Sequence, residues 1–267
     1  MEQQIRIESC WTDHPSLELL KDFASLANTV FGFFVTERYF RSKFVDNIYG
    51  PSLVTVVYVD DCPAGADVMW RNDLYGEESY QTVDTCVLEQ FRGRGLFKKL
   101  TRYELDLLGS ECLVYGYPNV NSYPGYVKMG WHVKQYHKAL CRPGDGPEID
   151  PDYAAWWIKA RSGIGRIRHN GCDYLVRKNR STPVATLIGK VDALTAQEFP
   201  EAKGIWLLKR FDAKTSIYNK NRTIPLVCNK PQMEVPYWKI DAIGKELENS
   251  MRELPETDGR LVSWKAA

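Results

Sequence analysis

Apolar and polar positions along the chain follow two rhythms, one of period two and one near 3.6. Ile5 and Ile7 alternate with polar neighbours and predict a short half-buried strand. Ser16 stands ahead of Leu17, Leu20, Phe23, Ala24, Ala27 and Val30, a helical apolar stripe behind a hydroxyl N-cap. A second amphipathic piece is expected near Glu37 to Asp46, with Tyr39, Phe40 and Phe44 as its apolar positions. Leu53 to Val59 is β-branched and strand-like; Asp60-Asp61-Cys62-Pro63 makes a turn, and Ala64 to Trp70 returns as the hairpin partner. After the turn at Gly76-Glu77-Glu78, Tyr80 to Val87 reads as a further strand. Leu96, Leu100, Tyr103 and Leu107 form a helical stripe that ends at Gly109. Cys112 to Tyr115 is a short buried strand, Tyr126 to Met129 a short helix stopped by Gly130, and Trp131 to Leu140 a long strand.

Arg142-Pro143-Gly144-Asp145-Gly146-Pro147 is the clearest break in composition. The remainder opens on a tryptophan-bearing helix, Tyr153 to Lys159. It continues with strands at Asp173–Arg177, Val184–Val191, Ile205–Phe211 and Ile224–Val227, and a helix at about Ile240 to Arg252. The expected fold class is therefore α/β of the α+β kind. A mixed, mostly antiparallel central sheet with flanking helices occupies residues 1–141. A linker follows at 142–149, then a second, smaller α/β domain at 150–267.

Composition narrows the function. Lys and Arg (35) balance Asp and Glu (34), for a net charge of +1. That gives no electrostatic case for a nucleic-acid partner or an anionic membrane. Met1 to Ile7 lack the apolar core of a signal peptide, and no apolar run approaches the roughly 20 residues of a membrane helix. The seven cysteines are widely spaced with no C-x-x-C pair, which argues against a disulfide framework and against a zinc site. Reduced thiols in a cytoplasmic protein are the expectation, and the Asn179-Arg180-Ser181 and Asn221-Arg222-Thr223 sequons then carry no meaning.

The chemistry is concentrated around residues 82–100. A strand feeds the turn Arg92-Gly93-Arg94-Gly95, and the turn opens a helix. Helix N-termini present unpaired N–H groups, and successive N–H groups in such a turn form an anion-binding nest. Gly93 and Gly95 let the backbone approach a phosphate, while Arg92, Arg94, Lys98 and Lys99 supply charge. The turn lacks the Gly-Lys-Ser/Thr of a Walker loop and the third glycine of a dinucleotide fingerprint. Two glycines alone also suit an ordinary strand–helix turn with solvated basic residues.

Two linked motifs carry a resemblance. Val87-x-x-x-x-Arg92-Gly93-Arg94-Gly95 is similar to the strand-4 and Q/R-x-x-G-x-G/A pyrophosphate motif of the GNAT N-acetyltransferase superfamily. Asn119-x-x-Ser122-x-x-x-Tyr126-x-x-x-Gly130-Trp131 is similar to that family's N-x-x-A-x-x-x-Y-x-x-x-G-F. The resemblance covers about residues 4 to 141. The phrase Pro118 to Tyr126 also looks like a branch found with surface-polysaccharide genes, which carries a C-terminal half resembling a degenerate acetyltransferase fold. Phe97 departs from the pattern, since the family usually has Gly or Ala there.

The resemblance implies an N-acyltransferase that uses acetyl-CoA or another acyl-CoA and no metal. Its acceptor would be a small-molecule amine, by the weaker resemblance an amino sugar or sugar nucleotide, and the protein would act as a monomer or homodimer. Thr85, Cys86, Val87, Arg92, Gly93, Arg94, Gly95, Leu96, Phe97 and Lys98 would line the cofactor, with Asn119 and Ser122 beside its arm. Tyr126 would protonate the leaving thiolate; a core aromatic beside Gly130 is the plainer role. Asp84 is the candidate base, because strand alternation places it on the face of Thr82 and Cys86, and a carboxylate on a central strand must be used or paired. Glu89 is the next candidate, and Tyr80 with Gln81 could orient a water relay. Asn119 and Ser122 also suit helix capping. Cys86 with His132 or His137 would offer a thiol nucleophile, but a small core residue is the simpler reading. Trp156-Trp157 reads as a domain-interface anchor. Arg161, Arg166, Arg168, Arg177, Lys178 and Arg180 read as a solvated face or a contact for a phosphate-bearing acceptor. The competing function is a non-catalytic acyl-CoA-binding protein of degenerate acetyltransferase fold.

Overall fold

The computed structural model describes residues 3–32, 35–178, 183–212 and 223–231, with backbone alone at 137, 138, 211, 212 and 223–225. The helix expected at 240–252, Arg180 and both sequon asparagines lie outside the described residues. The chain divides into two compact units, one running to Val133 and taking in Val227 and the residues just after it, the other starting at Lys134.

In the first unit the strands are β1 (Ile5–Trp11), β2 (Leu53–Val59), β3 (Cys62–Arg71), β4 (Ser79–Val87) and β5 (Leu113–Gly116), side by side in that order. Neighbours from β1 to β4 are antiparallel, whereas β4 and β5 are parallel. A parallel pair needs a crossover, and helix α3 (Leu96–Leu108) supplies it. Val227 and Cys228, the end of a further strand (Thr223–Cys228), pair antiparallel with Gly116 and Tyr115.

Helix α1 (Leu17–Phe31) starts where Ser16 Oγ accepts the Leu19 N–H (3.4 Å) and ends at Gly32 in the left-handed region. It buries Leu20, Phe23, Ala24 and Ala27. The next piece starts as a helix, α2 (Glu37–Phe40), and widens into one π-turn (Arg41–Val45), which buries Lys43 and Phe44 together. The stripe of α3 is rotated from the expected one. Leu96, Leu100, Thr101 and Glu104 are buried, while Leu107 is half exposed. Leu96 and Leu100 pack against Val57, Val59 and Ala64. The short helix α4 (Tyr123–Lys128) lays Tyr126 on Leu53, Met69, Tyr80, Val114 and Trp131.

The second unit has β6 (His132–Cys141), β7 (Ile164–His169), β8 (Cys172–Lys178), β9 (Val184–Val191) and β10 (Leu207–Asp212), laterally ordered β6-β10-β9-β8-β7. Tyr174, Val176, Ala185, Leu187 and Leu208 form its core. The division after Val133 falls two residues into β6, because β6 pairs with β10 and so belongs mostly with the later strands. The segment expected as a linker runs along β9. The Lys190 N–H donates to Pro147 O (2.6 Å), and the Ile149 N–H donates to Lys190 O (2.9 Å). Gly189 permits this approach, since a Cβ there would lie 2.5 Å from Pro147 O. Strand β7 occupies part of the basic stretch read as a solvated face, and Arg166 and Arg168 both reach the buried Asp173 (3.5 and 3.8 Å). Trp157 is buried within this unit under the Arg161 guanidinium, 3.2 Å from the ring centre.

Candidate active site at the end of strand 4

The site begins where a strand pair stops. β4 and β5 pair from Ser79–Leu113 to Thr82–Gly116 and no further. Residues 83–87 continue along β3 alone, so the edge that faced β5 has no strand partner among the described residues. An unpaired edge leaves backbone N–H groups free for a ligand. Gly116 closes the last paired rung tightly, for a Cβ there would stand 2.6 Å from the Thr82 methyl.

Past Val87 a single 3₁₀ turn (Glu89–Phe91) leads to Arg92-Gly93-Arg94-Gly95. Gly93 and Gly95 have φ of 78° and 75°, and a Cβ on either would meet no atom within 4 Å. The turn is thus both left-handed and open in front. Gly95 is the N-cap of α3 and has no side chain to close the helix end, so the first-turn N–H groups face outward. Arg92 Nε donates to Val87 O (3.2 Å), and Arg94 donates to Gln3 Oε1 (2.6 Å) and Gln90 O (3.1 Å). Both arginines brace the turn while staying exposed, and Lys98 is exposed beside them. Leu96 is buried in the sheet core.

Phe97 has a physical explanation. Its ring lies on the bare Cα of Gly125, where a Cβ would come within 2.6 Å of it, and meets Tyr126 edge-on with centroids 4.9 Å apart. A large residue on α3 is matched by a glycine on α4. Trp131 covers Tyr126 from another side, at 4.7 Å. Asn119 and Ser122 tie together the loop ahead of α4 and make no side-chain cap bond to the helix: Asn119 Oδ1 accepts the N–H groups of Asn121 (2.8 Å) and Ser122 (3.0 Å). Ser122 Oγ in turn accepts the Asn119 N–H at 3.1 Å.

The face assignment made from strand alternation is corrected. The β3–β4 register shifts between Ala66 and Val68, and Asp84 takes φ of 56°. Such a bulge breaks period two. Thr82 and Thr85, not Thr82 and Asp84, therefore point to the same place. Asp84 turns instead to the α2 segment. Its carboxylate accepts from Lys43 Nζ (3.1 Å) and the Tyr39 hydroxyl (3.0 Å), and Lys43 also donates to Tyr39 Oη (2.6 Å). Lys43 is almost wholly buried, with Phe44, Tyr39 and Trp70 rings 4.9–5.5 Å from its ammonium. The carboxylate expected as base is thus paired.

On the α3 side a group missed from sequence comes into view. Asp67, wholly buried on β3, accepts from Thr85 Oγ1 (2.7 Å), Thr82 Oγ1 (3.0 Å) and the Val68 N–H (2.9 Å). Glu104 of α3, also wholly buried, lies against it, with Thr55 alongside. Two carboxyls in contact cannot both be charged in such a place; one keeps its proton. Burial drives both upward: Asp67 is pushed up to about 6 and Glu104 well above the carboxylate range. Tyr126 shares a 3.0 Å hydrogen bond with Thr82, and burial beside Asp67 raises its hydroxyl far above the usual tyrosine value. The sequence held one signal for Glu104: it continues the four-residue spacing of Leu96 and Leu100, on the buried stripe.

The other expected groups fall elsewhere. Burial pushes the Cys86 thiol up to about 12, so at neutral pH it is a protonated core residue. Glu89 is solvated, Tyr80 donates to Glu78 (2.9 Å), and Gln81 accepts from Asn72 (3.1 Å). His132 is exposed, and the His137 side chain lies outside the described residues. No group of three or more His, Cys, Asp or Glu able to hold a metal, and no helix long and apolar enough to cross a membrane, occurs among the described residues.

By sequence the chain matches no protein-family model and no curated protein. By structure it is similar to a protein of Enterococcus faecalis V583 described as a probable N-acyltransferase. The TM-score is 0.56 at 12% identity, over 84% of this chain and 72% of that one. It is also similar to a GCN5-related N-acetyltransferase from Kribbella flavida, with a TM-score of 0.54 at 12% identity over 84% and 71%. The described chain therefore has a GNAT-like fold, a mostly antiparallel sheet flanked by helices with a second sheet unit after it.

Proposed function

We propose that the protein is an acyl-CoA-dependent N-acyltransferase that moves an acetyl or other short acyl group to a primary amine of a small molecule. The observation that carries this reading is the β4–β5 separation after Thr82 and Gly116, continuous with the open Arg92–Gly95 turn. One slot thus offers free backbone N–H groups at one end and an anion nest at the other. The residues fit the cosubstrate, since both glycines lie open in front and no side chain closes the N-terminus of α3.

When bound, acyl-CoA supplies the activated thioester carbonyl. The turn and Lys98 hold its phosphates, and Arg92 and Arg94 stiffen the turn. The backbone of Thr85 to Val87 polarises the acyl oxygen. Tyr126 supplies the proton to the departing sulfur. Asp84, held by Lys43 and Tyr39, shapes the acceptor side. An amino sugar or sugar nucleotide is the proposed acceptor, supported by the resemblance of Pro118 to Tyr126. The second unit is proposed as a degenerate acetyltransferase-like domain. A cytoplasmic setting suits seven free cysteines.

A non-catalytic acyl-CoA binder is the second reading, favoured by the pairing of Asp84 with Lys43. The test has two arms. Acetyl-CoA should raise the thermal midpoint, and thiol release should follow on adding one of a panel of amino sugars, sugar nucleotides, aminoglycosides and amino acids. Stabilisation without release from any amine selects the binder; neither response sinks both readings.

A further inference from the structure

We propose that Asp67 is the proton relay of this site, receiving the amine proton through Thr85 and returning it through Thr82 to Tyr126. The proposal rests on the N-acyltransferase reading above and adds the missing base.

The geometry is a branched chain of hydroxyls with one carboxylate at its root. Thr85 sits half-buried on the separated part of β4 and donates to Asp67 Oδ1 at 2.7 Å. Thr82, the last residue paired with β5, donates to Asp67 Oδ2 at 3.0 Å and meets Tyr126 Oη at 3.0 Å. The two threonine oxygens are 3.3 Å apart. One branch therefore ends at Thr85 on the separated part of β4, which we assign to the amine, and the other at the hydroxyl proposed to serve the sulfur.

The resting protonation state follows from the donors. Asp67 accepts from two hydroxyls and one N–H, which suits a carboxylate. Glu104 makes no hydrogen bond to a donor group, so it is the acid of the pair. The groups facing the pair are Thr55 from β2, Thr82, Thr85 and Cys86 from β4, and Tyr126 from α4. Among the described residues no cation forms an ion pair with either carboxyl. Burial thus brings Asp67 up to about 6, close to neutrality, where a base is most effective.

The step balances. The amine nitrogen forms its bond to the acyl carbon and releases a proton to Thr85 Oγ1, while Thr85 passes its own proton to Asp67. The carboxyl pair is then neutral, which its burial favours. As the C–S bond breaks and sulfur keeps the electron pair, Tyr126 gives its proton to sulfur. Thr82 refills Tyr126 and takes the proton from Asp67. One proton has moved from nitrogen to sulfur, and every protein group is as it began. Tyr126 never rests as a phenolate, which its surroundings would oppose.

The test compares Asp67→Asn, Thr85→Val and Thr85→Ser in the full chain. For wild type, kcat should rise with pH through about 6. Asp67→Asn should lower kcat about 100-fold or more and abolish that limb, with KM for acetyl-CoA unchanged. Thr85→Val should lose kcat similarly, and Thr85→Ser should recover it. A readout free of turnover is the infrared signal of a carboxyl titrating near pH 6, present in wild type and absent in Asp67→Asn. Should Asp67→Asn fold poorly, the Thr85 pair decides. An active wild type whose kcat and pH limb survive Thr85→Val or Asp67→Asn overturns the relay alone, as does absence of the infrared signal. A wild type inert with acetyl-CoA and every amine defeats the acyltransferase reading, whatever the infrared result.

Discussion

Two carboxylates within one small region of β3 and β4 are buried by opposite means. Asp84 is neutralised by charge: Lys43 lies 3.1 Å away and Tyr39 donates as well. Asp67 is sheltered without a cation: its companion Glu104 carries the proton of the pair, and its other partners are hydroxyls and an N–H. An ion pair holds its arrangement across the pH range in which both groups stay charged. A proton-sharing pair changes with pH, because its content is set by water. The first device therefore suits a wall and the second suits a site that must take up and release protons.

The largest expected effect breaks the first device. Asp84→Asn leaves the Lys43 ammonium buried without its counter-charge and should cost about 3–5 kcal/mol of unfolding free energy, read by urea denaturation. A loss under about 1 kcal/mol would show that the pair is not desolvated as described. Next comes the fit that seats Tyr126. Gly125→Ala drives a methyl into the Phe97 ring and should cost about 1–3 kcal/mol. In a double-mutant cycle, Phe97→Ala should relieve most of that cost; strict additivity would mean that the two residues do not touch.

The second device makes a prediction of sign. The folded-state value of Asp67 lies above its ordinary one, so the stability tied to its protonation is present at low pH and is lost as the pH rises through about 6. Wild type should melt a few degrees lower at pH 8 than at pH 5, and Asp67→Asn should flatten this dependence. An unchanged slope in the variant would place the titration elsewhere. The smallest effect falls on the turn. Gly93→Ala forces a side chain to φ of 78° and should cost about 1 kcal/mol, with weaker acetyl-CoA binding by calorimetry. Unaltered affinity would remove the turn from the cosubstrate site.

Much of the architecture was legible because period and punctuation are local. Ser16 and Gly32 bound α1, and β8 and β9 lie where β-branched runs fall. The Arg92–Gly95 turn was legible for the same reason, since two glycines ahead of an apolar helical stripe state a backbone requirement directly. Strand β7 was missed because its arginines masked a strand whose two arginine heads are met by Asp173 from its neighbour.

By itself the sequence determined the elements, the left-handed turn and the presence of Tyr126, all of which depend on neighbours in the chain. Only the tertiary structure decided which partners each carboxylate meets. Strand alternation sent Asp84 toward Thr82, and one bulge reversed it. Asp67 and Glu104 are 37 positions apart in the chain and meet only because α3 lies across β3. Whether a buried acid is paired by charge or shares a proton depends on which distant side chain the fold sets against it, and no local pattern carries that.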